Sequence, residues 1–192
     1  MPAAQIGVLA LQGDVREHVA ALTALGSAPI EVRTPSHLEQ VDALVIPGGE
    51  STALRVLLQA SGLRQPLEAR LTSGMPAFGT CAGMILLARH VVDGRKDQPS
   101  IGAIDLTVRR NGFGPQASSF EADLDVVGLE GGPVHAVFIR APVVEEAGRD
   151  VEILAEVDSR PVLARQGSIL VSAFHPELVD DLRLHQMFLQ EV

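Results

Sequence analysis

Two short runs in the first half of the chain, Ile6 to Leu11 and Ala43 to Ile46, contain only apolar residues and glycine, and each stops at a glycine turn. A strand that is apolar at every position has no face to give to water, which is the condition of an inner strand in a parallel sheet. Parallel neighbours must be joined by crossovers, and helical spacing lies where crossovers are needed. After Gln12-Gly13, the residues Val15, Val19, Leu22 and Leu25 recur on one helical face; Asp14 and Glu17 spell a capping box, and Gly26 is a stop. Ile30 to Val32 reads as a second strand and Ala43 to Ile46 as a third, ending at Pro47-Gly48-Gly49-Glu50. Ser51 is the expected cap of a helix carrying Leu54, Leu57 and Leu58, and a further helix carries Leu63, Leu67 and Leu71 before Gly74. Strands alternating with helices predict an α/β fold, with a mainly parallel sheet covered by helices on both faces. Sites in such sheets lie at the carboxyl ends of the strands.

The second half changes character. Ile104 to Val108, Phe120 to Val126, Val134 to Ile139 and Val151 to Val157 read as strands; the second alternates Phe120, Ala122, Leu124, Val126 with Glu121, Asp123, Asp125, as a half-exposed, partly antiparallel strand does. Pro161 to Gln166 and Ser168 to Ser172 form an expected hairpin about Gly167, and Leu182 to Val192 a closing helix. With 192 residues, no repeat and no linker, the whole stretch 1–192 is expected to be one domain, able to bury about 70% of its unfolded surface. Asp93 to Ser100, charged and ending near Pro99, is the expected mobile loop.

Composition narrows the function. A net charge of −9 and the absence of Trp and Tyr disfavour nucleic acid and anionic lipid as partners. One cysteine makes no internal disulfide and no multi-thiolate metal site. No apolar run approaches the roughly 18 residues of a membrane span, and no basic segment precedes the first apolar run, so a cytoplasmic protein is expected.

That cysteine, Cys81, lies in Gly79-Thr80-Cys81-Ala82-Gly83, between a short apolar strand (Ala77, Phe78) and a helix expected over Met84 to Ala88. Strand, tight turn and helix make a nucleophile elbow, which holds the reactive atom at a helix N-terminus where negative charge is favoured. A buried, inert thiol is the alternative. A catalytic cysteine needs a base and a group to orient it. His175-Pro176-Glu177 offers both, since residues i and i+2 of an extended segment point the same way. Of the other histidines, His18, His37, His90 and His185 are read as solvated, and His135 sits in a strand with no carboxylate two residues away. Gly48 and Gly49 leave the third strand beside the elbow. An N–H from either, with that of Ala82, would make a two-donor oxyanion hole. Arg110 and Arg140 each follow a strand and could grip a carboxylate, while Glu50 could hold an ammonium group, a set suited to an amino acid. Arg109 is expected to face solvent.

These residues resemble the triad-type glutamine amidotransferases, with an elbow Gly-x-Cys-x-Gly, a Gly-Gly oxyanion strand and a late His-x-Glu. Further segments narrow the likeness: Gly7 to Gly13 with Arg16-Glu17-His18, Pro47 to Thr52, Phe78 to Gly83, Arg110-Asn111 with Phe113-Gly114, Ser119 to Ala122, Phe138 to Pro142 and Phe174 to Leu178. Together they are similar to the glutaminase subunits of pyridoxal 5′-phosphate synthases along nearly the whole chain. The resemblance implies a three-layer α/β/α, flavodoxin-like glutaminase fold and a Cys81, His175, Glu177 triad. It implies L-glutamine contacts from Gly49, Glu50, Ser51, Arg110, Ile139 and Arg140, and no metal or organic cofactor. It also implies a synthase subunit as partner, which receives the ammonia and without which the glutaminase is nearly idle until its Gly-Gly strand rearranges. Pro115 departs from the pattern, standing where a basic residue is expected. Two other readings stay open: a glutaminase subunit of a different amidotransferase, and a non-enzymatic regulator with Cys81 as a redox sensor.

Overall fold

The computed structural model describes residues 4–94, 100–114 and 119–192. Pro115 and most of the expected mobile loop (95–99) lie outside the described residues.

The first half alternates as its hydrophobic pattern requires: β1 (Ile6–Leu9), α1 (Val15–Ala24), β2 (Ile30–Val32), α2 (Pro35–Leu38), β3 (Ala43–Ile46), α3 (Ser51–Ala60), α4 (Arg64–Thr72), β4 (Ala77–Thr80) and α5 (Ala82–Leu87). The second half contributes β5 (Ala88–Val91), β6 (Ile104–Arg109), β7 (Ser119–Leu124), β8 (Val134–Ile139), β9 (Val143–Ala147), β10 (Glu152–Val157), β11 (Arg160–Gln166), β12 (Ile169–Ser172) and α6 (Arg183–Leu189). The main sheet has the order β10-β11-β12-β4-β3-β1-β2. Its run from β12 through β2 is parallel, and β11 and β10 add an antiparallel edge. Every residue of β1, β3, β4 and β12 is buried, as strands covered on both faces must be. The order 2-1-3-4 followed by a late strand is that of a flavodoxin-like sheet, whose ligands sit at the carboxyl ends. Among the described residues no helix is long and apolar enough to cross a membrane.

Two smaller sheets lie outside this frame, β5-β6-β9 and the antiparallel ribbon β7-β8. Neither β5 nor β9 is signalled in the sequence. β5 follows α5 without a turn residue, and β9 is an edge strand, apolar at Val143-Val144 and then exposed at Glu145-Glu146-Ala147, so it shows neither alternation nor a continuous run. The β7-β8 ribbon is locked to the main sheet by aromatic packing: Phe120 stacks on Phe138 with centroids 4.4 Å apart, and Phe138 meets Phe174 at 5.5 Å. With the His175 N–H donating to Val137 O at 2.9 Å, this fixes the segment after β12.

Helix starts differ from expectation in three places. Asp14 makes no side-chain cap bond to α1; its backbone (φ −82°, ψ 49°) is not the extended form a cap needs. Ser51 does not cap α3 either. Glu50, extended at φ −95° and ψ 117°, folds its carboxylate back to accept from the N–H groups of Thr52 at 2.9 Å and Ala53 at 2.6 Å, leaving Ser51 as the first helical residue. α5 begins at Ala82 rather than Met84, since the turn is confined to one residue. At the other end of the chain α6 is shorter than expected, Arg183–Leu189.

α5 packs closely on β3 and β4. A Cβ on Gly83 would sit 2.2 Å from Ile46 O, and one on Gly79 2.7 Å from the Gly83 carbonyl carbon. Backbone atoms cannot yield as a side-chain tip can. Gly83→Ala is therefore expected to lower stability by about 1–3 kcal/mol, read as a lower urea midpoint with an unchanged slope.

Candidate active site

Cys81 occupies the one-residue turn between β4 and α5 at φ 49° and ψ −98°, a conformation that a residue with a Cβ adopts only under constraint. The constraint is visible. The Cys81 N–H donates to Ser172 O of β12 at 2.8 Å, its carbonyl accepts from the Ile85 N–H at 3.2 Å, and Gly79 and Gly83 let the helix close over the strand. The thiol lies 4.0 Å from Ile139 O and shares a cavity wall with the imidazole of His175.

His175 follows β12, and the segment beyond it turns into a short 3-10 helix, Pro176–Leu178, rather than staying extended. The pair meets all the same, with His175 Nδ1 2.7 Å from Glu177 Oε1. Burial by itself pushes the His175 imidazole down, but Cys81 and the hydrogen bond and charge of Glu177 outweigh it and raise its pKa to about 10. Burial pushes the Glu177 carboxyl up, against the pull of His175. A second carboxylate, Asp14 Oδ2, lies 3.3 Å from the same nitrogen. Making no cap bond to α1, Asp14 faces the imidazole instead. The ligand atoms of Asp14, His175 and Glu177 all lie within 4.8 Å of one another. A cation there would have to take the Nδ1 lone pair and so displace the His175–Glu177 hydrogen bond.

The Gly48-Gly49 turn reaches the same place from β3. A Cβ on Gly48 would stand 2.5 Å from His175 Cε1 and 3.3 Å from Cys81 Cβ, so only glycine fits between them. The Gly48 N–H is engaged, donating to Thr80 Oγ1 at 3.0 Å, and the Gly48 carbonyl points at Gly13. Gly49, at φ +145°, is held from the other side by Gln12, whose Oε1 accepts from the Glu50 N–H at 2.9 Å. Of the three amides named as oxyanion donors, that of Gly48 is thus already engaged within the described residues.

A cavity of about 280 Å³ opens over the sulfur. Its walls include Cys81, His175, Gly49, Glu50, Ser51, Arg110, Ile139 and Arg140, with Asp14, Ile85 and Asn111 in addition. Six expected contact residues thus come together around the cysteine, drawn from turns after β3, β6 and β8. Glu177 stands behind His175, and Gly48 and Ala82 behind the wall. Arg110 is oriented by Thr52 Oγ1 at 3.3 Å and by Asp93, whose carboxylate accepts from the Arg110 N–H at 2.9 Å. The Glu50 carboxyl would rise on desolvation, yet the N–H groups of Thr52 and Ala53 hold it below its ordinary value, so it stays anionic while it caps α3. Asn111 and Arg140, like Cys81, have a positive φ, at 48° and 45°. Arg109 points away, paired with Glu145 at 2.6 Å.

The histidines need correction. His18 and His185 are not solvated but 0% exposed, and His18 Nδ1 lies 2.9 Å from His185 Nε2 behind Glu177. The available signal was that His18 shares the apolar stripe of α1 with Val15 and Leu22. His135 finds its carboxylates across the ribbon, Asp123 at 2.8 Å and Glu121 at 3.0 Å. Burial holds His18 well below the ordinary histidine value and His185 at about 4.

Between about pH 4 and 6.5 the unfolded chain then binds more protons at these two positions than the folded one, so stability rises with pH. His175 acts oppositely: its contribution is complete below 6.5 and is lost as pH rises through about 10. The urea midpoint is expected to peak between these windows. His185→Leu should flatten the acid side and Cys81→Ala the alkaline side.

Three comparisons bear on this geometry. The SNO glutamine amidotransferase family matches residues 8–192. The pyridoxal 5′-phosphate synthase subunit PdxT of Frankia alni is 60% identical over 192 residues, covering 100% of this chain and 96% of the relative. A solved glutamine amidotransferase superposes with a TM-score of 0.91 at 50% identity, over 97% of each chain. Another glutamine amidotransferase, from Thermotoga maritima, has a TM-score of 0.64 at 14% identity over 92% of this chain and 77% of that one, and shares the fold alone. A strained cysteine at the end of β4, a histidine–glutamate pair after β12 and this likeness over the whole chain agree: the protein belongs to the SNO glutamine amidotransferase family.

Proposed function

We propose that the chain is the glutaminase subunit of a pyridoxal 5′-phosphate synthase, a cytoplasmic protein acting as one domain over 1–192. It hydrolyses L-glutamine to L-glutamate and passes the ammonia to a synthase subunit. The observation that carries this reading is the His175 imidazole, 2.7 Å from Glu177 and set with Cys81 in the wall of a cavity that also holds Glu50 and Arg110.

Glutamine lies with its α-carboxylate toward Arg110 and Arg140 and its α-ammonium toward Glu50. The Cys81 thiolate attacks the side-chain amide carbon, His175 holding the proton. The oxygen that becomes negative accepts from the amides of Ala82 and Gly49, each worth about 3 kcal/mol of barrier. His175 then gives its proton to the departing nitrogen, ammonia leaves, and the glutamyl thioester remains. Water, deprotonated by the same histidine, attacks the thioester carbon; glutamate departs and the thiol is restored. Glu177 keeps the imidazole in the tautomer with its proton on Nδ1 and steadies the imidazolium. No organic cofactor or metal is needed for these steps. Ammonia protonates in neutral water and is then no nucleophile, which favours direct delivery to a partner.

Cys81→Ala is expected to abolish glutamate release while the protein stays folded near neutral pH; retained turnover would remove Cys81 from the mechanism. Glu177→Gln should cost about 10²–10⁴-fold in kcat but leave activity above background, since it orients and does not react. Glutamate release measured with and without a barrel synthase subunit tests the partner. A large rise is expected on docking, and equal rates would exclude gating by that subunit.

A further inference from the structure

Behind Glu177 lies a second pair of ionisable side chains that the proposed reaction leaves unused. Glu177 Oε1 is bound to His175, but Oε2 is buried with no hydrogen-bond partner among the described residues. The donor facing it is His18 Nε2, at 3.4 Å, and the same nitrogen lies 3.2 Å from Thr80 Oγ1. Thr80 Oγ1 in turn accepts the Gly48 N–H. On its far side His18 Nδ1 meets His185 Nε2 at 2.9 Å, and His185 Nδ1 is buried without a partner among the described residues.

One proton must lie between the two rings, and it can be placed in two ways. If His18 Nδ1 carried it, His185 would keep its own proton on Nδ1, a buried donor with nothing to accept it. His18 Nε2 would then turn a lone pair toward the Glu177 carboxylate. If His185 Nε2 carries it, His185 Nδ1 is a bare acceptor, the cheaper kind of orphan, and His18 has its proton on Nε2, facing Thr80 and Glu177. Only the second arrangement leaves no ring N–H stranded and no lone pair against a carboxylate.

Resting on the triad reading above, we propose that His18 is a positioning residue of the active site: neutral, and set as its Nε2–H tautomer by His185, it presents that N–H to the free oxygen of Glu177. The consequence is geometric. A carboxylate held by one oxygen can rotate about its last bond. A donor at the other oxygen fixes its plane, so that Oε1 stays aligned with His175 Nδ1. Through Thr80 the same N–H borders the strand that carries Gly48, joining the base and the oxyanion turn in one polar chain. The ionisable groups around the pair are Asp14 from the turn before α1, Cys81 from the elbow, His175 and Glu177 after β12 and His185 from α6; with both buried rings neutral, no cation competes with the His175 imidazolium for Glu177.

Two measurements on the full-length chain test this. Long-range ¹⁵N–¹H correlation with ¹⁵N-histidine should show His18 protonated at Nε2 alone from about pH 5 to 8. A bare Nε2, or a doubly protonated ring, overturns the proposal without any variant having to fold. Alkylation of Cys81 by iodoacetamide as a function of pH then reads the thiolate–imidazolium pair directly, in the parent, His175→Ala, His18→Leu and His18→Gln. His18→Leu should move the alkaline limb of the profile down by about one pH unit, about tenfold in the equilibrium. His18→Gln, whose amide can still donate, should restore most of it. If His18→Leu matches the parent, or matches His18→Gln, His18 does not position the triad. If His175→Ala also alkylates as the parent does, the triad reading falls with it; a slowed His175→Ala beside an unaffected His18→Leu overturns the proposal for His18 alone.

Discussion

A carboxylate that is 8% exposed cannot be left half-solvated: each oxygen must find a donor inside the protein, or the group takes up a proton and ceases to be an anion. Glu177 is that carboxylate, and much of the surrounding architecture can be read as supplying its partners. His175 reaches it from the end of β12 and His18 from the buried face of α1, with His185 on α6 behind. Each partner is a histidine, able to donate while staying neutral or to become a cation in place. A lysine or arginine behind Glu177 would instead compete permanently with the imidazolium for the same charge. Burial pushes His18 and His185 toward neutrality, while the thiol and the carboxylate pull His175 the other way.

The parallel sheet makes such a cluster possible. In β1, β3, β4 and β12 every residue is covered, so functional groups are confined to the turns at the strand ends, and because these strands are parallel neighbours their carboxyl-end turns open at one edge. Asp14, Gly48-Gly49, Cys81 and His175 follow those four strands in turn. Close backbone approach is then unavoidable. Gly48 passes between Cys81 and His175, and Gly83 rests on Ile46 O. The strain at Cys81, Asn111 and Arg140 falls on three residues lining the same cavity, where packing on several sides holds each backbone in place.

Glu50 shows how one residue can serve two demands. Its carboxylate satisfies two N–H groups of the first turn of α3, which a serine cap could have done, yet it does so from a chain long enough to remain in the cavity wall. The charge that substrate would see is thus stabilised by the helix it begins. Arg110, held by Thr52 and Asp93, shares the cavity wall with Arg140 and with the carboxylate of Glu50, consistent with a ligand that carries both signs.

Local chemistry made part of this molecule legible in its sequence. Continuous apolar runs marked β1 and β3, since a strand covered on both faces has no side to give to water, and Gly79-x-Cys81-x-Gly83 announced a turn in which only glycine tolerates the approach of backbone. His175-Pro176-Glu177 was legible as a pair because its members are two residues apart, although a 3-10 turn rather than an extended segment brings them together. What could not be read there were contacts between residues far apart in the chain. Asp14 spells a helix cap but turns to His175, Thr80 spells only a strand end but takes the Gly48 N–H, and His18 and His185, 167 residues apart, form one buried pair. The sequence by itself determined the inner strands, the elbow and the candidate cysteine and histidine that the structure brings together, because spacing and steric need dictate those within a few residues. Only the tertiary structure decided which polar groups stand behind them, because a buried donor or acceptor takes its partner from whichever element packs beside it.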